Sequence, residues 1–185
     1  MKKSFCHTGW IPLSTLMILT LIVLASCGEK KSTINLENHY HNDFESYAGW
    51  GGITGYYNLV AGNAHSGRHA YQTDSIVTYS LSYSMPIREL SEKPVMKIAV
   101  SVWVKCLSKP ASGSCVVSIE RGDQVIKYYS FDLKEKDALV NEWMEIQGTA
   151  AIPIALPKDA IVKIYFWNKS KSVILVDDFD FQVEN

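Results

Sequence analysis

Neither sign of charge dominates this 185-residue chain, in which 18 Lys and Arg stand against 19 Asp and Glu. A protein that grips phosphates carries a basic face or tail, so nucleic acid is not an expected partner. Catalytic motifs are missing as well. There is no Gly-rich phosphate loop, no nucleophile elbow, and no strand interior with the Glu-x-Asp-x-Glu-like spacing that sets an acid and a nucleophile roughly 5 Å apart in a retaining glycosidase. Asp178 and Asp180 share a parity but read as a solvated edge. The longest apolar stretch, Ile11 to Ala25, is broken by Pro12, Ser14, Thr15 and Thr20 and falls short of the roughly 20 residues a membrane-crossing helix needs. Periodicity of 3.6 residues is almost absent, which excludes a helical domain. An apolar fraction of 47% excludes disorder in turn.

What the chain does have begins with its first residues. Lys2 and Lys3, the interrupted apolar stretch and the small residues after it have the order of an export signal. Its end, Leu24-Ala25-Ser26-Cys27, resembles the lipobox of bacterial lipoproteins. The resemblance implies cleavage after residue 26, lipid on Cys27, and a chain anchored to a membrane without spanning it. Gly28 after the Cys goes with sorting to the outer membrane, and Glu29-Lys30-Lys31 is similar to the export tag of Bacteroides-type surface lipoproteins. The domain then faces the periplasm or the medium. Residues 27–41, polar and aperiodic, read as a lipidated Cys and tether, and residues 42–185 as a single domain, expected to be monomeric.

Four cysteines are present. Cys6 leaves with the signal and Cys27 is lipidated, which leaves Cys106 and Cys115 in an oxidising compartment. If Lys97–Cys106 and Cys115–Glu120 form one hairpin, Cys106 lies opposite Cys115, Val104 beside Val117 and Val102 beside Ile119. A disulfide is expected from that register; two reduced core cysteines are the alternative.

From Phe44 onward the pattern has period two. Val77, Tyr79, Leu81, Tyr83 and Met85 alternate with polar residues, and further strands are expected at Lys97–Cys106, Val125–Leu133, Trp143–Ile152, Ile161–Trp167 and Val173–Val183, with a helical turn within Leu133–Asn141. Arg121-Gly122-Asp123-Gln124 has the chemistry of a two-residue hairpin loop, which accounts for its Arg-Gly-Asp triplet without an adhesion role. The expected fold is all-β, an antiparallel β-sandwich.

Three segments carry a resemblance to a family: Asn42-Asp43-Phe44-Glu45 ahead of Trp50; Ala64-His65-Ser66-Gly67-Arg68-His69-Ala70-Tyr71; and Val176-Asp177-Asp178-Phe179, preceded by Ile164-Tyr165-Phe166-Trp167-Asn168. Their order resembles that of the galactose-binding-like jelly rolls that serve as carbohydrate-binding modules beside bacterial glycosidases. The resemblance implies that the first and last segments meet and that a structural Ca²⁺ sits there, with Glu45 and Asp177 as ligands and carbonyls around Ser66–Arg68 completing the shell. This agrees with the preference of Ca²⁺ for hard oxygen ligands. Alternatively, the two carboxylates are hydrogen-bond partners of the Arg68 turn. Parity groups Asp177 with Leu175, Phe179 and Phe181, so Asp177 is expected to point inward, where an unpaired charge is costly. His39, His41 and Asp43 alternate as metal ligands can, but fall at the tether and its junction with the domain and read as a solvated edge.

The same resemblance implies that a polysaccharide or oligosaccharide is the partner. Aromatics are plentiful, at five Trp, ten Tyr and six Phe, and sugar sites pair flat rings with planar polar side chains. Two arrangements are open. One is a concave-face platform of Trp103 and Tyr129, which the inferred hairpin places on one face with Lys127, Trp103 lying opposite Ser118. The other is a loop-tip site of Tyr165 and Trp167. Trp50 and Trp143 are assigned to the core. The expected function is non-catalytic glycan binding by stacking. A scaffold lipoprotein for a protein partner and a glycan-active hydrolase or lyase are the competing classes.

Overall fold

The computed structural model describes residues 38–45, 50–51 and 57–185. The signal segment, Cys27 and most of the expected tether lie outside the described residues, which belong to one compact unit, Asn35–Asn185. Among them no helix is long and apolar enough to cross a membrane.

Among the described residues ten strands run in order: β1 (His39–Asn42), β2 (Leu59–Ala61), β3 (His69–Thr73), β4 (Tyr83–Pro86), β5 (Lys97–Cys106), β6 (Gly113–Arg121), β7 (Gln124–Leu133), β8 (Trp143–Ala151), β9 (Ile161–Asn168) and β10 (Ile174–Glu184). They form a six-stranded sheet, β2-β3-β10-β5-β8 with β1 also on β10, and a four-stranded sheet, β4-β9-β6-β7. All the strand pairings are antiparallel. The expected antiparallel β-sandwich is the observed fold. Alternation creates it: Ile98, Val100, Val102 and Val104 of β5 and Val162, Ile164 and Phe166 of β9 are buried, and the residues between them are not. Their inner faces share one core with Phe179 and Phe181 of β10 and with Trp50, as expected for that residue.

The expected β5–β6 hairpin does not form. β5 lies between β10 and β8, while β6 lies between β9 and β7 in the other sheet. Residues 107–112 therefore carry the chain across the sandwich, not back along the same sheet. Cys106 and Cys115 are buried free thiols, so the expected disulfide is absent. The parity that favoured the hairpin was real, because Val102, Val104, Cys106, Cys115, Val117 and Ile119 are all fully buried. Two strands facing each other across a core satisfy it equally well.

Other departures have equally local causes. The sheet begins at His39, inside the stretch expected as tether, because β1 pairs with Phe179–Gln182. The long strand expected from Val77 shrinks to β4: Ser80 and Leu81 are both buried, which breaks the alternation and turns Tyr79 outward, 51% exposed. Lys134–Asp137 form turns instead of a helix. The Gly122-Asp123 loop is as expected, with Arg121 paired to Gln124 and Gly122 at φ 56°.

Candidate functional site

On the outer face of the four-stranded sheet, β9 presents Lys163, Tyr165 and Trp167, the residues that alternate with its buried Val162, Ile164 and Phe166. Strand pairing sets these side chains in rows across β9, β6 and β7: Lys163–Ser118–Tyr128, Tyr165–Val116–Ser130 and Trp167–Ser114–Asp132. The middle members are small and buried, so long side chains of β9 and β7 stand on either side of a low line along β6. Tyr79 joins from the segment before β4 by bridging to Trp167. Its ring lies at 22° to the Trp167 ring with centroids 6.1 Å apart, and meets Tyr165 edge-on at 5.7 Å. Tyr79 and Tyr128 are exposed. The result is an aromatic strip of Tyr79, Trp167, Tyr165 and Tyr128.

Paired charges flank the strip. Lys169 Nζ lies 5.3 Å from the Trp167 ring centroid and 2.7 Å from Asp132 Oδ1. The Lys169 ammonium, with the Ser114 and Ser130 hydroxyls that also donate to Asp132, holds that carboxyl well below the usual carboxylate range. Lys163 Nζ is 2.6 Å from Glu120 Oε2. Partial burial pushes the Glu120 carboxyl up, but hydrogen bonds from Lys163 and Ser118 outweigh it, and the group is lowered. Burial, then the nearby Tyr128, Tyr79 and Glu120, raises the Tyr165 hydroxyl to about 12, so it both donates and accepts at neutral pH. The strip therefore combines flat apolar rings, hydroxyls and ion pairs with no net charge.

The structure separates the other expected partners. Trp103 is on the outer face of the six-stranded sheet, paired with Asp177 and Glu145 instead of Ser118. It is half-buried under His65, whose ring stacks on it at 4.0 Å and 13°. Tyr129 pairs with the buried Val117 of β6, faces inward and donates its hydroxyl to the Ala151 carbonyl. Trp103 and Tyr129 therefore share no face, and a platform built from them is excluded. The cause is again the β5–β6 crossover. Tyr165 and Trp167 do share a face, but within β9 and not at a loop tip. Trp143 lies on the outer face beside His65, not in the core.

Asp177 and Glu45 meet around one turn, as the resemblance implied. Asp177 is fully buried. Its Oδ2 accepts from the backbone N–H of His65 at 2.7 Å and of Ser66 at 3.2 Å, and its Oδ1 from Asp178 N at 2.8 Å. Burial outweighs these bonds and pushes its carboxyl up to about 6. Glu45 Oε1 accepts from Arg68 N at 2.6 Å and His69 N at 2.5 Å, and the Arg68 amide leads in holding the Glu45 carboxyl low. Asp177 keeps company with Leu175 only: a bulge between Asp177 and Asp180, with Asp178 at φ 41°, switches parity and sends Phe179 and Phe181 into the core. Three of the four carboxylate oxygens, both of Asp177 and Oε1 of Glu45, thus accept backbone N–H groups, the alternative to a Ca²⁺ shell. The residues act as a hydrogen-bonded clip on the His65–His69 turn.

Sequence reasoning missed Tyr79, Tyr128, Lys169 and Asp132. Unbroken alternation from Val77 to Met85 puts Tyr79 on one face with Leu81 and Tyr83, and the break at Ser80 is what turns it outward. Tyr128 stands next to Tyr129, and only the parity of β7, set by its pairing with β6, says which of the two faces outward. His39 and His41 both contact Asp180 Oδ1, at 2.8 and 3.0 Å, as a paired edge of the sheet.

No family model matches the chain, and neither does any curated protein. Solved structures do share its fold. The C-terminal family 22 carbohydrate-binding module of Clostridium thermocellum Xyn10B superposes with a TM-score of 0.55 at 16% identity, over 80% of this chain and 94% of that one. The CBM22-2 xylan-binding domain of Paenibacillus barcinonensis Xyn10C gives 0.55 at 13% identity, over 78% and 99%. A further CBM22 xylan-binding domain gives 0.54 at 15% identity, over 78% and 93%. The chain thus has the β-sandwich of carbohydrate-binding modules across nearly their whole length.

Proposed function

We propose that this protein is a non-catalytic polysaccharide-binding domain whose ligand lies along the aromatic strip of Tyr79, Trp167, Tyr165 and Tyr128. The carrying observation is the outward display of four rings beside hydroxyls and neutralised ion pairs on one sheet face. Rings supply stacking surface for sugar C–H faces, while Tyr165, Ser130, Asp132 and Lys169 offer donors and acceptors. The fold shared with xylan-binding modules supports the same reading and makes xylan the first ligand to test. Catalysis is not part of it. Asp132 and Glu120 are both ion-paired and held low, whereas a glycosidase acid must keep its proton near neutral pH. Export, lipidation of Cys27 and residence on an outer membrane belong to the same proposal; they rest on the lipobox and would hold the strip at a membrane surface.

Titration of the folded protein with xylan, followed by Trp fluorescence, is the direct test. Saturable change that Trp167→Ala reduces at least tenfold in affinity is expected. No change with xylan or any other polysaccharide, in a sample shown to be folded, overturns the reading. For the anchor, Cys27→Ser should move the protein out of the membrane fraction.

A further inference from the structure

The opposite side of the sandwich carries a second concavity, of about 450 Å³, on the outer face of the six-stranded sheet. Its shape follows from side-chain size across the strands. The outward residues of β5 at its floor are Ala99 and Ser101, both small, and Gly148 lies alongside. On one side β8 raises Glu145, Gln147 and Thr149; on the other β10 and β1 raise Asp180, Gln182 and His39. Pairing puts these in register as Gln147–Ser101–Asp180 and Thr149–Ala99–Gln182. Beyond Ser101 the next outward side chain of β5 is Trp103, whose bulk ends the run of small residues. From Ala99 to Trp103 a strand advances about 13 Å. The trough is therefore long, narrow and lined by planar polar groups, and its volume lies within the range of small-molecule sites.

Charge narrows the ligand. Carboxylates stand on both walls, and among the described residues no Lys or Arg lines the trough. Asp180 is shared by His39 and His41, whereas Glu145 accepts from the neutral Gln147 amide at 2.5 Å. An anion would be repelled, and a ligand rich in donors and carrying positive charge would be favoured. We propose that this trough is a second saccharide site, separate from the aromatic strip, and that it takes a short amino sugar. Its ammonium sits against Glu145 with Asp180 opposite, and its hydroxyls reach the Gln147 and Gln182 amides and the Ser101 and Thr149 hydroxyls. With sites on two opposite faces, one molecule bridges two glycan chains.

The test is titration of the ¹⁵N-labelled protein at about pH 7 with the β-1,4-linked disaccharide of glucosamine, its N-acetylated form and xylobiose. The free-amine disaccharide should shift the amide signals of Ser101, Gln147 and Gln182 with at least tenfold higher affinity than the other two. Glu145→Gln, an exposed position, should abolish that preference. Ala99→Leu, which fills the floor without touching the core, should abolish binding, and Trp167→Ala should leave it unchanged. Absence of shifts at those amides, equal affinity for the N-acetylated form, or full binding by either trough variant overturns the proposal. Because Trp167→Ala reports only on the strip, failure at one face is distinguishable from failure at the other.

Discussion

The Trp167 indole and the Tyr79 phenol lie nearly parallel, 22° apart with centroids at 6.1 Å, although Tyr79 comes from a segment that contributes only a single bridge to the sheet. Trp167 is fixed by β9, with Phe166 buried behind it, whereas Tyr79 depends on Asn168 N donating to Thr78 O at 2.8 Å and Ser80 N donating to Phe166 O at 2.9 Å. The strip is thus held by backbone pairing beneath it, which leaves the exposed Tyr79 ring outside the packing.

Tyr79→Ala should therefore weaken polysaccharide binding roughly fivefold to tenfold, about 1–1.4 kcal/mol, with little change in Tm. The ring is 51% exposed, so its loss leaves no core cavity. Affinity electrophoresis in xylan gels, paired with a melting curve, checks both halves. A large fall in Tm would show that the ring is structural instead.

Removal of the Asp177 carboxylate should be far more costly. Asp177→Ala strands the His65 and Ser66 amides at a fully buried position and should lower stability by roughly 2–4 kcal/mol, a fall in Tm of about 5–15 °C. Glu45→Gln, at a more exposed position, should cost less. Because both carboxylates face amide donors, a chelator should leave the wild-type Tm unchanged; a drop restored by Ca²⁺ would overturn the hydrogen-bonded clip.

The Asp177 carboxyl also sets a pH signature. Its folded value, about 6, lies above the ordinary 3.8, so the fold favours the protonated form. The contribution is fully present below about pH 4 and is lost as pH rises through 6. Urea unfolding should show the stability of wild type relative to Asp177→Asn declining between those limits and flat above. Asp132, held low by Lys169, has the opposite sign: relative to Asp132→Asn, wild type should lose stability as pH falls below about 4.

The thiols provide a covalent check. Burial raises both the Cys106 and the Cys115 thiols, which keeps them protonated and unreactive. Neither should be alkylated in the folded protein, and both should be labelled on unfolding without prior reduction, as read by peptide mass spectrometry. Dithiothreitol should not alter Tm. Labelling that requires reduction would establish a disulfide after all.

The sequence alone was enough for the sheet class and for most strands. Alternation in β5 and β9 states which residues are buried, and that follows from the two-residue period of a strand whatever its neighbours are. It also placed Tyr165 and Trp167 on one face and brought Glu45 and Asp177 to one turn through their motif. Tertiary structure alone decided which strands are neighbours. Period-two patterning is the same for a hairpin in one sheet and for two strands opposed across a core, so the β5–β6 crossover, and with it the state of Cys106 and Cys115 and the separation of Trp103 from Tyr129, was not legible. Local breaks of parity, at Ser80 and at the Asp178 bulge, likewise turn on hydrogen bonds to distant segments. Those breaks decide that Tyr79 faces outward to complete the aromatic strip and that Asp177 turns away from the core to hold the loop.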